Sequence, residues 1–258
     1  MIFDTHAHYD SEQFEEDRQV LLSSMPENGI GTIVNVCASA DELSRTIALA
    51  EEYPFIYGAV GVHPDDAPLI TPEVLQKVRE LSRHPKVVAI GEIGLDYYWH
   101  KEEAEHKLQQ ETFRAQLEIA REEKLPFMVH SRDAAEDTLS IVREYVQKGM
   151  YGGIIHCFSY SVEIAREYLK MGLYLGIGGV VTFQNSRKLK EVVREAPLSR
   201  LLLETDCPYL APVPYRGKRN SSLYLPYVAQ AIAELKGITM QEVIDATEEN
   251  ARRLLLNS

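Results

Sequence analysis

The feature that most constrains the fold of this 258-residue chain is a repeated alternation of short apolar runs with longer polar segments of helical period. The apolar runs, rich in Val, Ile and Gly, predict eight strands: Met1–His6, Thr32–Val36, Ile56–Val62, Val87–Gly91, Phe127–His130, Gly153–His156, Tyr174–Ile177 and Leu201–Glu204. The segments that follow them predict helices near Asp17–Asn28, Ser39–Tyr53, Pro72–His84, Lys101–Lys124, Ala134–Lys148, Val162–Met171, Ser186–Glu195, Ser222–Lys236 and Thr239–Asn257.

Strands that alternate with helices in this way build parallel sheets. Eight such units fill the chain without a Pro-rich or Ser-rich linker. We therefore predict an α/β fold, a (β/α)₈ TIM barrel in a single domain over residues 1–258, with additional C-terminal helices. A doubly wound parallel sheet is the structural alternative.

Composition limits the cellular setting and the partners. No apolar run reaches the roughly 18 residues that a membrane span needs, and the start of the chain does not resemble a secretory signal. We expect a soluble, cytoplasmic protein with no membrane partner and no obligate protein partner. Three cysteines without a C-x-x-C spacing predict free, buried thiols. The net charge of −12 repels polyanions, so a nucleic acid partner would need local positive charge.

Chemistry in such barrels lies at the carboxyl ends of the strands. Six of the eight predicted strands end in a histidine or an acid: His6 with His8, His63, Glu92, His130, His156, and Glu204 with Asp206. Side chains alternate along a strand, so the members of each pair face the same side. A nitrogen and oxygen ligand set large enough for two divalent cations is formed by His6, His8, Glu92, His130, His156 and Asp206.

Other polar residues receive simpler interpretations. Asp4 lies deeper on the face of the first strand, where a carboxylate often orients a ligating imidazole. Alternation predicts that Cys157 and Cys207 point away from the metals and pack in the core. We expect solvated surface positions for three further histidines: His84, His100 and His106.

An ordered series of motifs spans the whole chain: DTHAHYD, GVHPDD, GEIGLDYYW, MVHSRDA, IIHCFS, LLLETDCPYL and PYRGKRN. The series resembles the TatD-type metal-dependent deoxyribonucleases of the amidohydrolase superfamily. The resemblance implies metal-dependent cleavage of DNA, often from a 3′ end. It implies two divalent cations held by six side chains: His6, His8 and Asp206 for the first, His130 and His156 for the second, and Glu92 between them. Mg²⁺, Mn²⁺ and Zn²⁺ are the candidate ions, and the imidazoles suit Zn²⁺ or Mn²⁺ better than Mg²⁺.

The mechanism that we infer is in-line hydrolysis by water activated between two cations, with Glu92 bridging them. Asp206 accepts or orients the proton of that water. His63 contacts the phosphate or the leaving oxygen as a donor or general acid. Glu204 orients Asp206 or the water.

Loops on the same face are expected to hold the substrate, a DNA strand that is single-stranded or frayed at its 3′ end. The basic stretch near the last strand offers Arg216, Lys218, Arg219 and Asn220 to phosphates. Tyr98, between Tyr97 and Trp99, is a candidate for stacking an unpaired base. Arg132 is a further candidate contact.

Two alternatives remain open from the sequence. One is a hydrolase of the same fold that acts on a small ester, lactone, amide or phosphotriester, because a barrel and its metals do not fix the substrate. The other is a non-catalytic binding protein that is stabilised by its metal.

Overall fold

A computed structural model describes residues 1–256. Eight parallel strands form one sheet in sequential order. They are β1 (Ile2–Ala7), β2 (Ile30–Val36), β3 (Ile56–Val60), β4 (Val87–Asp96), β5 (Phe127–Arg132), β6 (Gly153–Ile155), β7 (Tyr174–Ile177) and β8 (Leu201–Leu203). A parallel bridge between Ala7 and Cys207 joins the two ends of the sheet. The predicted TIM barrel is confirmed, and the doubly wound alternative is wrong.

Helices surround the barrel. They are α1 (Arg18–Ser23), α2 (Leu43–Glu52), α3 (Pro72–Leu81), α4 (Glu103–Glu123), α5 (Ala135–Gln147), α6 (Val162–Lys170), α7 (Arg187–Glu195), α8 (Leu225–Lys236) and α9 (Met240–Ala251). A π-helical segment, Arg252–Leu256, follows α9. Asn257, the predicted end of the last helix, lies outside the described residues. Within residues 1–256, no helix is both long and apolar enough to cross a membrane.

The main departure from the predicted elements is β4, which continues to Asp96 instead of ending at Gly91. Its second half pairs with β5, where Gly94 lies opposite His130. Because β4 runs to Asp96, Glu92 lies inside a strand rather than in the loop after it. All ten residues of the strand are buried. A carboxylate is thereby held on a rigid element at the mouth of the barrel.

The first predicted helix is shorter than expected, because α1 ends at Ser23. A separate 3₁₀ turn, Pro26–Asn28, follows it. Pro26 has no amide hydrogen with which to continue an α-helix.

The barrel interior is apolar below the site. One buried cluster combines Met128, Ile154 and Leu202, from β5, β6 and β8, with Leu254 and Leu255 from the C-terminal segment. Because strand side chains alternate, the same faces present polar side chains two residues farther along each strand. The apolar cluster therefore packs in the barrel interior directly beneath those polar side chains.

Two glutamines of α4 anchor this helix to the barrel. The Gln116 amide accepts a hydrogen bond from the Val62 N–H (2.8 Å) and donates one to the Val62 carbonyl (3.0 Å). Gln109 makes the same pair of contacts with the backbone of Asp96, at 2.9 and 3.2 Å. Both glutamines are buried. Each supplies the hydrogen-bond donor and acceptor that a neighbouring strand does not provide to the backbone of Val62 or Asp96.

Replacing Gln116 by leucine should destabilise the fold, because the Val62 N–H and carbonyl would be buried without partners. We expect Gln116→Leu to lower the free energy of unfolding by about 2–4 kcal/mol, measured by urea denaturation. Gln76→Leu is the matched control, since Gln76 is exposed on α3, and it should change stability by less than about 0.5 kcal/mol. Equal effects of the two substitutions would contradict this assignment.

Candidate metal centre

The site is organised around the Glu92 carboxylate, whose side chain is only 5% exposed. One oxygen, Oε2, lies 3.2 Å from His6 Nε2 and 3.7 Å from His8 Nε2. Asp206 adds a carboxylate on this side, with its Oδ1 3.4 Å from His8 Nε2 and 4.0 Å from His6 Nε2. The end of β1, with the residue that follows it, and the segment after β8 therefore bring His6, His8 and Asp206 together beside one oxygen of Glu92.

The other oxygen of Glu92 faces a second group of imidazoles. Oε1 lies 3.0 Å from His130 Nδ1, 3.4 Å from His156 Nε2 and 3.9 Å from His63 Nε2. His156 also approaches Asp206, with 3.8 Å between Nε2 and Oδ1. All six predicted ligands thus converge. The two oxygens of the Glu92 carboxylate face different groups of imidazole nitrogens.

Two of the candidate ligand rings, His8 and His130, are oriented from behind by fixed acceptors. The second nitrogen of His8, Nδ1, lies 2.8 Å from the carbonyl oxygen of Val36. His130 Nε2 lies 3.1 Å from Asp96 Oδ2. A hydrogen bond of this kind fixes the tautomer of the ring and leaves its other nitrogen free to bind a metal.

Asp96 was missed in the sequence analysis. Glu92, Gly94 and Asp96 are two residues apart along β4, and such residues face the same side of a strand. Predicting β4 to its full length would therefore have placed Asp96 beside the candidate ligands. The Asp96 carboxylate is buried and also accepts the N–H groups of Tyr98 and Trp99, at 2.9 and 3.1 Å. It therefore connects a predicted ligand, His130, to the following turn.

Glu204 differs from its predicted role. Its side chain is fully buried, its Oε1 lies 3.2 Å from His156 Nδ1, and it accepts the Cys157 N–H at 2.6 Å. A Cβ atom at position 176 would overlap this carboxylate, so Gly176 is required beside it. Because Glu204 does not reach the cavity, we assign it to positioning His156, in place of the predicted contact with Asp206 or water.

Two further expectations are corrected. Among the described residues, Asp4 makes no hydrogen bond or ion pair with an imidazole ring. It accepts hydrogen bonds from the backbone N–H groups of His6 (3.2 Å) and Thr205 (3.0 Å) and from the hydroxyls of Thr205 (2.7 Å) and Ser222 (2.6 Å). It thereby ties β1 to the segment that carries Asp206. Cys157 lines the cavity over the site instead of packing in the core, because its backbone is left-handed, with φ of 44°.

The remaining cysteines and histidines are placed as follows. Cys37 and Cys207 are free and buried, as expected. The three histidines assigned to the surface are each paired: His84 with Glu51, His100 with Asp65 and Glu105, and His106 with the His100 carbonyl.

The electrostatics of the site favour a cationic occupant. Burial alone would raise the pKa of Glu92, but the surrounding imidazoles hold it well below its ordinary value. Burial opposes protonation of His8, yet Asp206 and Glu92 outweigh it and raise its pKa to about 10. The pKa values of His130 and His156 are raised to about 9 in the same way, against burial, by their neighbouring carboxylates.

The donor set fits divalent metal ions. Ligand atoms within 4.8 Å of one another occur in His6, His8 and Glu92, and in His63, Glu92 and His130. A third such group joins His6 and His156 to Asp206. Imidazole nitrogen with carboxylate oxygen suits Zn²⁺, Mn²⁺ or Fe²⁺, and each cation would offset the buried negative charge.

A cavity of about 590 Å³ opens above these ligands. Of the predicted substrate contacts, His63 and Arg132 line it. Tyr98 is 42% exposed and packs against Arg132, whose guanidinium lies 3.9 Å from the centre of the ring. Arg216 and Lys218 are exposed on the loop after β8, where Arg216 covers the ring of Phe183.

The structure does not support a substrate contact for Arg219 or Asn220. The guanidinium of Arg219 donates to both carboxylate oxygens of Asp17, at 2.8 and 2.5 Å. Asn220 is buried, and its amide donates to the Thr205 carbonyl at 2.9 Å. Both side chains hold the loop in place.

A parallel eight-stranded barrel with metal-ligating side chains at its strand ends is typical of metal-dependent hydrolases. Over residues 3–256 the chain matches the family described as TatD related DNase. It is 49% identical over 254 residues to the "Uncharacterized metal-dependent hydrolase YabD" of Bacillus subtilis (strain 168), with 98% of each chain covered. It is 34% identical over 259 residues to the "3'-5' ssDNA/RNA exonuclease TatD" of Rahnella sp. (strain Y9602), with 98% of this chain and 97% of that one covered.

Among solved structures, it is similar to YJJV, a TatD homolog from Escherichia coli K12, with a TM-score of 0.92 and 30% identity. That match covers 99% of this chain and 98% of the other. The chain belongs to the TatD family of metal-dependent hydrolases.

Removing the carboxylate of Asp96 should weaken metal binding, because His130 would lose the acceptor that orients its ring. We expect Asp96→Ala to lower the affinity for Zn²⁺ by roughly 10–100-fold, measured by competition with a chelator. Glu136→Ala, an exposed acid on α5, is the control and should leave the affinity unchanged. An unchanged affinity in Asp96→Ala would refute the orienting role.

Metal binding should also release protons. His8, His130 and His156 have pKa values of about 10, 9 and 9, so they are protonated near pH 7 in the metal-free protein. A cation must displace these protons, so the apparent affinity should rise steeply with pH up to about pH 9 and less steeply up to about pH 10, where His8 loses its proton. Calorimetric titrations in buffers of different ionisation enthalpy test this at pH 7. Heats that do not depend on the buffer would count against it.

Proposed function

We propose that this metal-dependent hydrolase cleaves phosphodiester bonds of single-stranded DNA, from the 3′ end, with two divalent cations. The observation that carries the proposal is that the two oxygens of Glu92 face separate groups of nitrogens. A bridging carboxylate of this kind holds two cations close enough to act on one phosphoryl group. His6, His8 and Asp206 would hold the first cation, and His130 and His156 the second.

The relative from Rahnella supports a nucleic acid substrate, since its name describes a 3'-5' ssDNA/RNA exonuclease. Positive charge supports the same class. The protein carries a net charge of −12, yet Arg132 lines the cavity and makes no ion pair among the described residues. Arg216 and Lys218, exposed on the loop after β8, are likewise outside the ion pairs of the described residues. Arginine and lysine side chains that no carboxylate occupies are suited to phosphate groups.

When bound, the cations would lower the pKa of water toward 7 and stabilise the charge that develops on the phosphate. The protein supplies the remaining parts of the reaction. The Asp206 carboxylate is 17% exposed at the cavity. Burial would raise its pKa, but the hydrogen bond with His8 and the nearby imidazoles hold it below the ordinary value. Asp206 is therefore ionised at neutral pH and accepts a proton from the attacking water.

His63 is placed to act on the other side of the reaction. Its Nδ1 accepts the Asp65 N–H at 3.2 Å, which leaves Nε2 as the nitrogen that can donate. Nε2 faces the site, 3.9 Å from Glu92 Oε1. His63 thus donates a hydrogen bond to a phosphate oxygen or to the leaving oxygen.

The proposal is tested by incubating metal-stripped protein, resupplied with Mg²⁺, Mn²⁺ or Zn²⁺, with single strands labelled at the 5′ end. We expect metal-dependent shortening from the 3′ end. Glu92→Gln and Asp206→Asn should each reduce kcat by at least about 100-fold, because they remove the bridge and the proton acceptor. Lys188→Gln, a surface substitution on α7, is the control and should retain full activity.

Strands that stay intact with every metal would overturn the nuclease assignment. A parallel assay on simple esters and lactones identifies the alternative in that case. Hydrolysis of such an ester, lost in Glu92→Gln, would retain the metal centre and change the substrate.

A further inference from the structure

Trp99 is the only tryptophan of the chain, and its side chain is exposed. The residue is 65% exposed and lines the cavity above the metal ligands. It follows β4. Tyr209, 54% exposed, lines the same cavity from the segment after β8. In an eight-stranded barrel of sequential order, β4 and β8 lie on opposite sides of the axis. Two exposed aromatic rings therefore flank the entrance from opposite sides.

Arg132 joins Trp99 on one side of the entrance. Its guanidinium lies 5.6 Å from the centre of the Trp99 ring, and it also lines the cavity. No carboxylate of the described residues pairs with it. A stacked guanidinium keeps its N–H groups free for an anion. Trp99 and Arg132 thus offer an aromatic face and a positive charge side by side, which complement the base and the phosphate of one nucleotide.

The backbone holds this pair in register with the metal ligands. Asp96 Oδ1 accepts the Trp99 N–H, while Asp96 Oδ2 lies beside His130 Nε2. One buried carboxylate therefore fixes both the turn that carries Trp99 and a ligand of the proposed cations. A base stacked on Trp99 would have a fixed position relative to the centre that acts on its phosphate.

The size of the cavity selects among nucleic acids. A volume of about 590 Å³ is in the range that holds one small molecule. The proposed reaction needs the phosphate to reach Glu92, which is 4% exposed on the cavity floor. A cavity of this volume holds one nucleotide, so we expect the terminal nucleotide to reach Glu92 when its base is unpaired.

We propose that Trp99 is the stacking platform for the unpaired terminal base of a nucleic acid strand and that Arg132 holds the adjacent phosphate. This inference rests on the proposed function for its substrate class and adds the residues that select a single-stranded end. Stacking recognises the face that all bases share, so the selection is for an unpaired end and not for a sequence.

The lone tryptophan makes binding directly observable, since a base stacked on Trp99 quenches its fluorescence. The Mg²⁺-loaded protein is titrated with a short single strand carrying slowly hydrolysed phosphorothioate linkages. The matched strand lacks only the 3′-terminal base. We expect saturable quenching by the complete strand and little quenching by the abasic strand or by a blunt duplex. Equal quenching by complete and abasic strands, or none, would overturn the inference.

Kinetics on cleavable strands give a second readout. Trp99→Ala should raise KM about tenfold for the complete strand and much less for the abasic strand, because only the complete strand loses a stacking partner. Trp99→Phe keeps an aromatic face and should restore most of the affinity. Tyr151→Ala removes another exposed aromatic, before β6 at the opposite end of the barrel, and should match the wild type. An equal rise in KM for both strands would contradict stacking.

The two levels of proposal can fail separately. Cleavage of strands without a difference between complete and abasic ends would leave the nuclease assignment intact and remove the role of Trp99. Absence of cleavage with base-dependent quenching would remove the nuclease assignment and leave Trp99 as a site for an unpaired base.

Discussion

The structure depends on a carboxylate, Glu92, that is buried at the mouth of the barrel. A buried negative charge is costly unless positive charge and hydrogen-bond donors surround it. Imidazoles from β1 and β5 and from the segments after β3 and β6 meet that requirement in the metal-free protein. His130 and His156, whose pKa values are raised, hold protons there that divalent cations can displace. Burial of Glu92 and metal binding are therefore two aspects of one electrostatic constraint.

A second set of buried carboxylates turns this cluster into a rigid site. Asp96 orients His130 and also fixes the turn at Trp99. Glu204 holds His156 and needs a glycine, Gly176, as its neighbour. Asp96 and Glu204 each lie beside the second nitrogen of a candidate ligand ring, so they set the geometry of that ring. Through these contacts, the candidate ligands His130 and His156 are held in place, and the turn that carries Trp99 is fixed relative to His130.

Much of the fold and of the ligand set could be predicted from the sequence, because both depend on local periodicity. Eight apolar runs predicted the strands, and the residues at their ends predicted the six candidate ligands that the structure brings together. The extension of β4 to Asp96 depends on pairing with β5, which local composition does not reveal. Arg219 has its partner, Asp17, 202 positions away. A basic motif cannot show from its own residues whether such a partner already occupies it.

The most direct test of this account is a crystal structure of the protein loaded with Mn²⁺, with anomalous diffraction used to locate the ions. The account predicts two anomalous peaks, one beside each oxygen of Glu92. The first should contact His6, His8 and Asp206, and the second His130 and His156. A single peak, or two peaks that do not share Glu92, would contradict the claim that this carboxylate bridges two cations.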